Sequence, residues 1–201
     1  MSVFKSQGTD GAGASVNANT SVNATVNAIN VAGKDEDDAK DKITEETTQI
    51  DAKKHATALA AALKTQFGYS VLKPFQQQVA IAALSGRDSF VLMATGSGKS
   101  LCYQLPPLVT GRTCIVVCPL ISLMQNQVHA MRELGIAACY LGGGGSSAEQ
   151  ERVEREALSG RMSLVYLTAE KVPYWKEELE ELHERHGICL VAIDEAHCVS
   201  E

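Results

Sequence analysis

A chain of 201 residues, 45% of them hydrophobic, can bury one sizeable core but hardly two complete domains. Its 18 basic and 24 acidic residues leave a net charge of -6, which excludes the strongly basic balance of a general nucleic-acid binder, so any such contact must be local. No apolar run approaches the roughly 20 residues of a membrane helix, and the first residues lack the basic-then-apolar layout of a secretory signal, so the chain reads as intracellular.

Residues 11–33 carry no charge and no aromatic side chain and repeat Val-Asn-Ala at 16–18, 22–24 and 26–28. Such composition cannot build a packed core, and residues 1–37 are expected to form a disordered low-complexity tail. The acidic cluster Lys34 to Asp41 reads as a solvated helix start. Beyond it Ile43, Ile50, Leu59, Leu63 and Phe67 recur at near-helical intervals, which predicts a helical lead-in over 38–66.

From residue 74 helices and strands alternate. Helices are predicted over 74–84, to about 108, 121–134, 148–158 and 174–186, and strands over 89–93, 113–118, 136–141, 163–167 and 188–193. Five strands separated by helices imply an α/β fold with a mostly parallel sheet, whose ligands sit at the carboxyl ends of the strands. The six cysteines, at 102, 114, 118, 139, 189 and 198, show no pair with two intervening residues, and packing thiols explain them better than a zinc site or a disulfide framework.

The most informative segment is Ala94 Thr95 Gly96 Ser97 Gly98 Lys99 Ser100, between the apolar run Ser89 to Met93 and the helical run from Leu101. Glycines before a Lys-Ser pair let backbone amides curl around a polyphosphate. Thr95, Gly96, Ser97 and Gly98 would line the phosphates, Lys99 would reach the β and γ oxygens, and the Ser100 hydroxyl would ligate Mg2+. Met93 stands where the general pattern has its first glycine; the variant opening with alanine fits Ala94.

A second constellation closes the pattern. The apolar run Ile188 to Ile193 ends in Asp194 Glu195 Ala196 His197, which puts two carboxylates just beyond a buried strand. Asp194 would hold Mg2+, and Glu195 would orient and deprotonate the water that attacks ATP. An acidic pair after a strand is by itself common; with Lys99 and Ser100 upstream it becomes specific.

Over about residues 67–201 the chain resembles superfamily 2 helicases with the DEAH signature, and among them the RecQ family of DNA helicases. The resemblance is carried by Gly96 to Pro106, by Cys118 Pro119 Leu120 Ile121 Ser122 Leu123 Met124 Gln125 Asn126 Gln127 Val128, and by Asp194 to Glu201. It implies a RecA-like P-loop NTPase domain, incomplete at its C-terminal end, that uses ATP and Mg2+, with a role in DNA unwinding (3'-5' in the family), repair and recombination and, in a eukaryote, a nuclear location. It implies single-stranded DNA contacts for the 118–128 segment, through Ser122, Leu123, Gln125 and Gln127, and coupling between nucleotide and DNA for His197. The simple reading of 120–134 is an amphipathic core helix with Leu123, Met124, Val128 and Met131 inward, which leaves its polar tips free for DNA. Phe67 Gly68 Tyr69 with Leu72 Lys73 Pro74 Phe75 Gln76 resembles the family's adenine-recognition segment. There the Gln76 amide would pair with the adenine edge, with Tyr69 and Lys73 stacking on or flanking the ring. Lys73 replaces the family's usual arginine, Gln125 a frequent lysine, and Ala169 a usual proline.

In folds of this type the strand that follows the acidic pair inserts beside the phosphate-loop strand, and the second RecA-like domain supplies an arginine finger. Neither follows within these 201 residues, so a gap in the middle of the sheet is expected, with backbone groups left unpaired. The chain is therefore expected to be the N-terminal, ATP-binding part of a RecQ-like DNA helicase, inactive in unwinding by itself. The alternative is a non-hydrolysing nucleotide-binding or partner-binding module from a truncated product. A small-molecule kinase on the same phosphate loop would have no use for Asp194 Glu195 or the 118–128 segment.

Overall fold

The computed structural model describes residues 2–6, 38–94, 96–142 and 146–195. Six strands form one sheet: β1 (Ser2–Ser6), β2 (Ser89–Val91), β3 (Thr113–Val117), β4 (Ala138–Leu141), β5 (Leu164–Leu167) and β6 (Ile188–Ile193). Their order across the sheet is β2-β1-β6-β3-β5-β4. The pairs β3–β6, β3–β5 and β4–β5 are parallel. These are crossovers through helices, as the alternating pattern requires.

Strand β3 is buried at every position, which is why its sequence reads as an unbroken apolar run rather than as an alternation. Its side chains still divide by parity. Cys114 and Val116 join Leu164, Tyr166, Leu190 and Ala192 under one helical layer, whereas Ile115 joins Val165, Leu167, Cys139 and Leu141 under the other. The first layer holds α2 (Pro74–Leu84), α3 (Leu101–Thr110) and α4 (Ile121–Glu133); the second holds α5 (Ser147–Leu158) and α6 (Lys176–His186). Fully burying a side chain such as Leu164 or Leu190 contributes about 1.5–3 kcal/mol, so both layers are held mainly by the sheet's two apolar faces. The helix α1 (Asp38–Ala62) runs into a π-helical turn (Leu63–Phe67), and Leu59 and Leu63 pack with Leu72, Ala80 and Leu105. Ile50, on the same predicted stripe, is 68% exposed.

Several boundaries differ from the periodicity for local reasons. Helix α4 closes where Gly135 adopts φ 74 and Ile136 N–H bonds back to Met131 O, so Ile136 caps the helix and β4 begins only at Ala138. The predicted helix over 174–186 begins as a 3-10 turn (Val172–Trp175), and Ser146 caps α5 by accepting the Glu149 N–H. Strand β2 stops at Val91, and Leu92, 74% exposed, leaves the ladder toward the phosphate loop.

The expected gap is filled. Strand β1 lies between β2 and β6, antiparallel to both, pairing Ser2, Val3 and Phe4 with Val91, Phe90 and Ser89 and pairing Val3 to Ser6 with Ile193 to Leu190. The expectation of a disordered tail over 1–37 thus meets a strand at Ser2–Ser6, while residues 7–37 lie outside the described residues. Cys102, Cys114, Cys118, Cys139 and Cys189 are buried free thiols, as packing residues should be; Cys198 lies outside the described residues. Among the described residues no helix is long and apolar enough to cross a membrane.

Candidate nucleotide-binding site

Because β2 and β6 are each antiparallel to β1, they run parallel to one another, and their carboxyl ends open on the same side of the sheet. The phosphate loop leaves β2 there, and Asp194 leaves β6. Strand β3 ends on that side as well, since it is parallel to β6, and leads into α4. Three of the predicted segments therefore meet at one edge because of strand direction alone.

The loop turns on two glycines in the left-handed region, Gly96 at φ 78 and Gly98 at φ 90. At Gly98 space adds to the demand, since a Cβ there would stand 2.6 Å from Gln76 Nε2. That atom donates to Gly98 O at 2.9 Å, and Gln76 Oε1 accepts the Lys73 N–H at 2.9 Å. Lys73 Nζ donates to Ser97 O at 2.9 Å. Two residues expected at the adenine thus also hold the phosphate loop from beneath. Gln76 itself is buried, with both ends of its amide engaged in these bonds. Tyr69, 58% exposed, stands on the segment before α2.

The Lys99 side chain is only 9% exposed, and its ammonium donates to Met93 O at 3.1 Å and Ala94 O at 3.4 Å. A cation folded onto the carbonyls of its own loop is a group waiting for an anion, because carbonyl dipoles satisfy its hydrogen bonds without neutralising its charge.

Ser100 precedes α3 in helical conformation, and its side chain makes no capping bond. The Tyr103 hydroxyl, one turn on, lies beside that of Ser100 and donates to Asp194 Oδ2 at 3.2 Å. The two candidate Mg2+ ligands therefore flank one phenol. Tyr103 is fully buried, and burial, then the neighbouring Tyr166 and Asp194, raise its pKa well above the ordinary range, so it remains a proton donor. Asp194 is 8% exposed; its N–H continues the β3–β6 ladder to Val117 O at 2.8 Å, and its Oδ1 accepts the Glu195 N–H at 3.1 Å. Glu195 takes φ 52, the only positive φ at a non-glycine among the described residues. Strain of this kind is sustained where the surroundings over-determine it and clusters at functional sites. The donor set fits Mg2+, a hard cation that takes one or two protein oxygens and completes its shell with phosphate and water. No cluster of three His, Cys, Asp or Glu among the described residues offers a metal site built from protein alone.

On α4, Met124, Val128 and Met131 face the core, and Leu123 is half-buried against it. Ser122 and Gln125 are exposed, and Gln125 Nε2 donates to Tyr140 Oη at 3.2 Å. Gln127 accepts from Gln104 Nε2 at 3.0 Å, a bond between α4 and the helix that follows the phosphate loop. Thr95 and His197 lie outside the described residues. Sequence reasoning assigned no role to Tyr103. The available signal was its spacing, three residues after Ser100 on one helical face.

The profile of the DEAD/DEAH box helicase family matches residues 73–201. Over 145 residues the chain is 42% identical to the ATP-dependent DNA helicase RecQ of Haemophilus influenzae, covering 72% of this chain and 23% of that protein. It is 44% identical over 140 residues to the bifunctional 3'-5' exonuclease/ATP-dependent helicase WRN of Mus musculus, covering 69% and 10%. To the ATP-dependent DNA helicase Q-like SIM of Arabidopsis thaliana it is 42% identical over 139 residues, covering 69% and 16%. The chain thus spans less than a quarter of the length of these relatives. With the loop, the acidic pair and the matched profile falling on the same residues, the chain belongs to the DEAD/DEAH box helicase family.

Proposed function

We propose that residues 67–201 are the ATP-binding, first RecA-like domain of a RecQ-like DNA helicase, with 38–66 as its helical lead-in and 1–37 preceding it. The observation that carries this reading is the convergence of Lys99, Ser100, Asp194 and Glu195 at one end of β2 and β6, with Tyr103, beside Ser100, donating to Asp194. Gly96, Ser97 and Gly98 offer backbone amides to the β and γ phosphates, with Thr95 beside them in sequence, and Lys99 exchanges its carbonyl partners for phosphate oxygens. Tyr69, Lys73 and Gln76 flank the adenine. Ser100 and Asp194 hold Mg2+, which when bound neutralises charge on the β and γ oxygens. Glu195 orients a water and takes its proton at the carboxylate. Ser122, Leu123, Gln125 and Gln127 face single-stranded DNA, His197 couples that surface to the nucleotide, and a eukaryotic protein of this kind would act in the nucleus in DNA repair and recombination.

The test is equilibrium binding of a fluorescent ATP analogue with Mg2+ to the 201-residue chain and its Lys99→Ala variant, beside a duplex-unwinding assay of the intact chain. Saturable, Mg2+-dependent binding that is weakened at least tenfold in the variant, without unwinding, is the expected result. Binding that ignores the substitution overturns the site.

One observation favours a second reading, a nucleotide-binding module without turnover: the slot between β2 and β6 is occupied by the chain's own strand. DNA-stimulated ATP hydrolysis separates the two, being absent in the module.

A further inference from the structure

Polar side chains run through the core beneath α3 and α4. Val116, Tyr166 and Ala192 stand abreast on β3, β5 and β6, since Val116 pairs with both of the others. Asp194 follows Ala192 by two residues and so continues on the same face of the sheet. Over that face α3 lays two consecutive polar residues. Tyr103, fully buried, donates to Asp194 Oδ2 at 3.2 Å, and Gln104, 4% exposed, donates through Nε2 to Gln127 Oε1 on α4 at 3.0 Å. Tyr166 is a neighbour of both bonded pairs: the Gln104 amide, the Tyr103 phenol and the Asp194 carboxylate all lie near its hydroxyl.

That hydroxyl is buried and makes no hydrogen bond. A phenylalanine would fill the same place in the cluster that holds Cys114, Val116 and Met124 without desolvating an oxygen that gains no partner. Stability therefore gives no reason for the hydroxyl, whereas its place beside the carboxylate at the end of β6 gives one. We propose that Tyr166 and Gln104 are positioning residues for Mg2+: they brace the Tyr103 phenol on Asp194 and, through Gln127, tie the metal carboxylate to α4. Donors can run one way along this line. With one Gln104 N–H spent on Gln127, the second is left for the Tyr166 oxygen, the Tyr166 proton for the oxygen of Tyr103, and Tyr103 already donates to Asp194. Bonds aligned in this way strengthen one another, and a carboxylate whose own partners are fixed presents a cation with one orientation. The inference rests on the nucleotide reading above, which makes Asp194 a metal ligand, and adds the residues that stand behind that ligand.

The test titrates Mg2+ into the intact chain with a fluorescent ATP analogue and pairs each titration with a denaturant melt in the absence of Mg2+. Tyr166→Phe is expected to raise the Mg2+ midpoint about threefold. The same change should leave the Mg2+-free affinity unchanged and should not lower the denaturation midpoint, because the hydroxyl has no bond to lose. Gln104→Met should raise the Mg2+ midpoint by a similar factor. A Tyr103→Phe/Tyr166→Phe chain should need no more Mg2+ than Tyr103→Phe alone, since Tyr166 acts through that phenol. An unchanged Mg2+ midpoint in either single variant overturns the proposal, as do factors that multiply in the double variant. So does a Tyr166→Phe chain that loses stability and loses nucleotide affinity with and without Mg2+ alike, the signature of packing alone. Should Gln104→Met fail to fold, Tyr166→Phe, which removes one oxygen, decides. If the intact chain binds no nucleotide in Mg2+, the nucleotide reading falls and this inference with it; if it binds and Tyr166→Phe leaves the Mg2+ midpoint in place, this inference alone falls.

Discussion

The two halves of the sheet are built on different terms. In β3-β5-β4 each strand is parallel, joined to the next in sequence by a helix, and covered on both faces by Leu, Val, Ile and Cys side chains. In β2-β1-β6 the central strand comes from the far N-terminal end of the sequence, runs antiparallel, and joins two strands that carry Lys99, Ser100 and Asp194 at their ends. The first half supplies cohesion. The second holds the charged and strained groups, on the strands joined by the antiparallel pairing.

The largest way to test that division is alkaline pH. Burial pushes the thiols of Cys102 and Cys139 up to about 12 and that of Cys189 up to about 11, and it raises Cys114 as well, from an ordinary 9.0. Below 9.0 both folded and unfolded thiols are protonated, so their contribution is fully present there. Above it the unfolded chain ionises first, and each thiol removes up to about 1.4 kcal/mol of stability per pH unit until its folded value is reached. Denaturant melts across this range should show a stability falling steeply above 9.0, less so in a Cys139→Ala chain.

Next comes Trp175, 1% exposed and packed under β4 and β5 with Leu182 and Ala157. Trp175→Ala is expected to cost about 3–5 kcal/mol of stability, read as a lower denaturation midpoint, with the MgATP affinity of the still-folded fraction unchanged. Lys99→Ala inverts that signature. Loss of one charge-assisted contact, about 1.5–3 kcal/mol, should weaken nucleotide binding by roughly ten- to a hundredfold while the denaturation midpoint moves less than in Trp175→Ala. The smallest effect belongs to Tyr103→Phe, which removes one hydroxyl between Ser100 and Asp194. It should raise the Mg2+ midpoint for ATP binding by about five- to tenfold, some 1 kcal/mol, with Mg2+-free ATP affinity unchanged; a purely structural role would move both.

What could be read from the chain before its structure follows the range of the forces involved. The phosphate loop, the strand before it and the acidic pair were legible because each depends on neighbours in sequence: glycines for positive φ, an apolar run for a buried strand. The inward stripe Met124, Val128 and Met131 was legible for the same reason. Strand β1 was not, because Ser2 to Ser6 is a short segment of mixed character whose pairing with residues beyond 88 and beyond 189 leaves no local trace. The bonds of Gln76 to Gly98 and of Tyr103 to Asp194 cross 22 and 91 positions, and only the fold reveals them.

Glu195 carries a consequence for any attempt to improve this molecule. Its φ of 52 suits glycine or asparagine better than glutamate, at about 1–2 kcal/mol. Replacing it by asparagine should yield a hardier chain without the base proposed for hydrolysis, so a search guided by heat resistance alone would discard the carboxylate first.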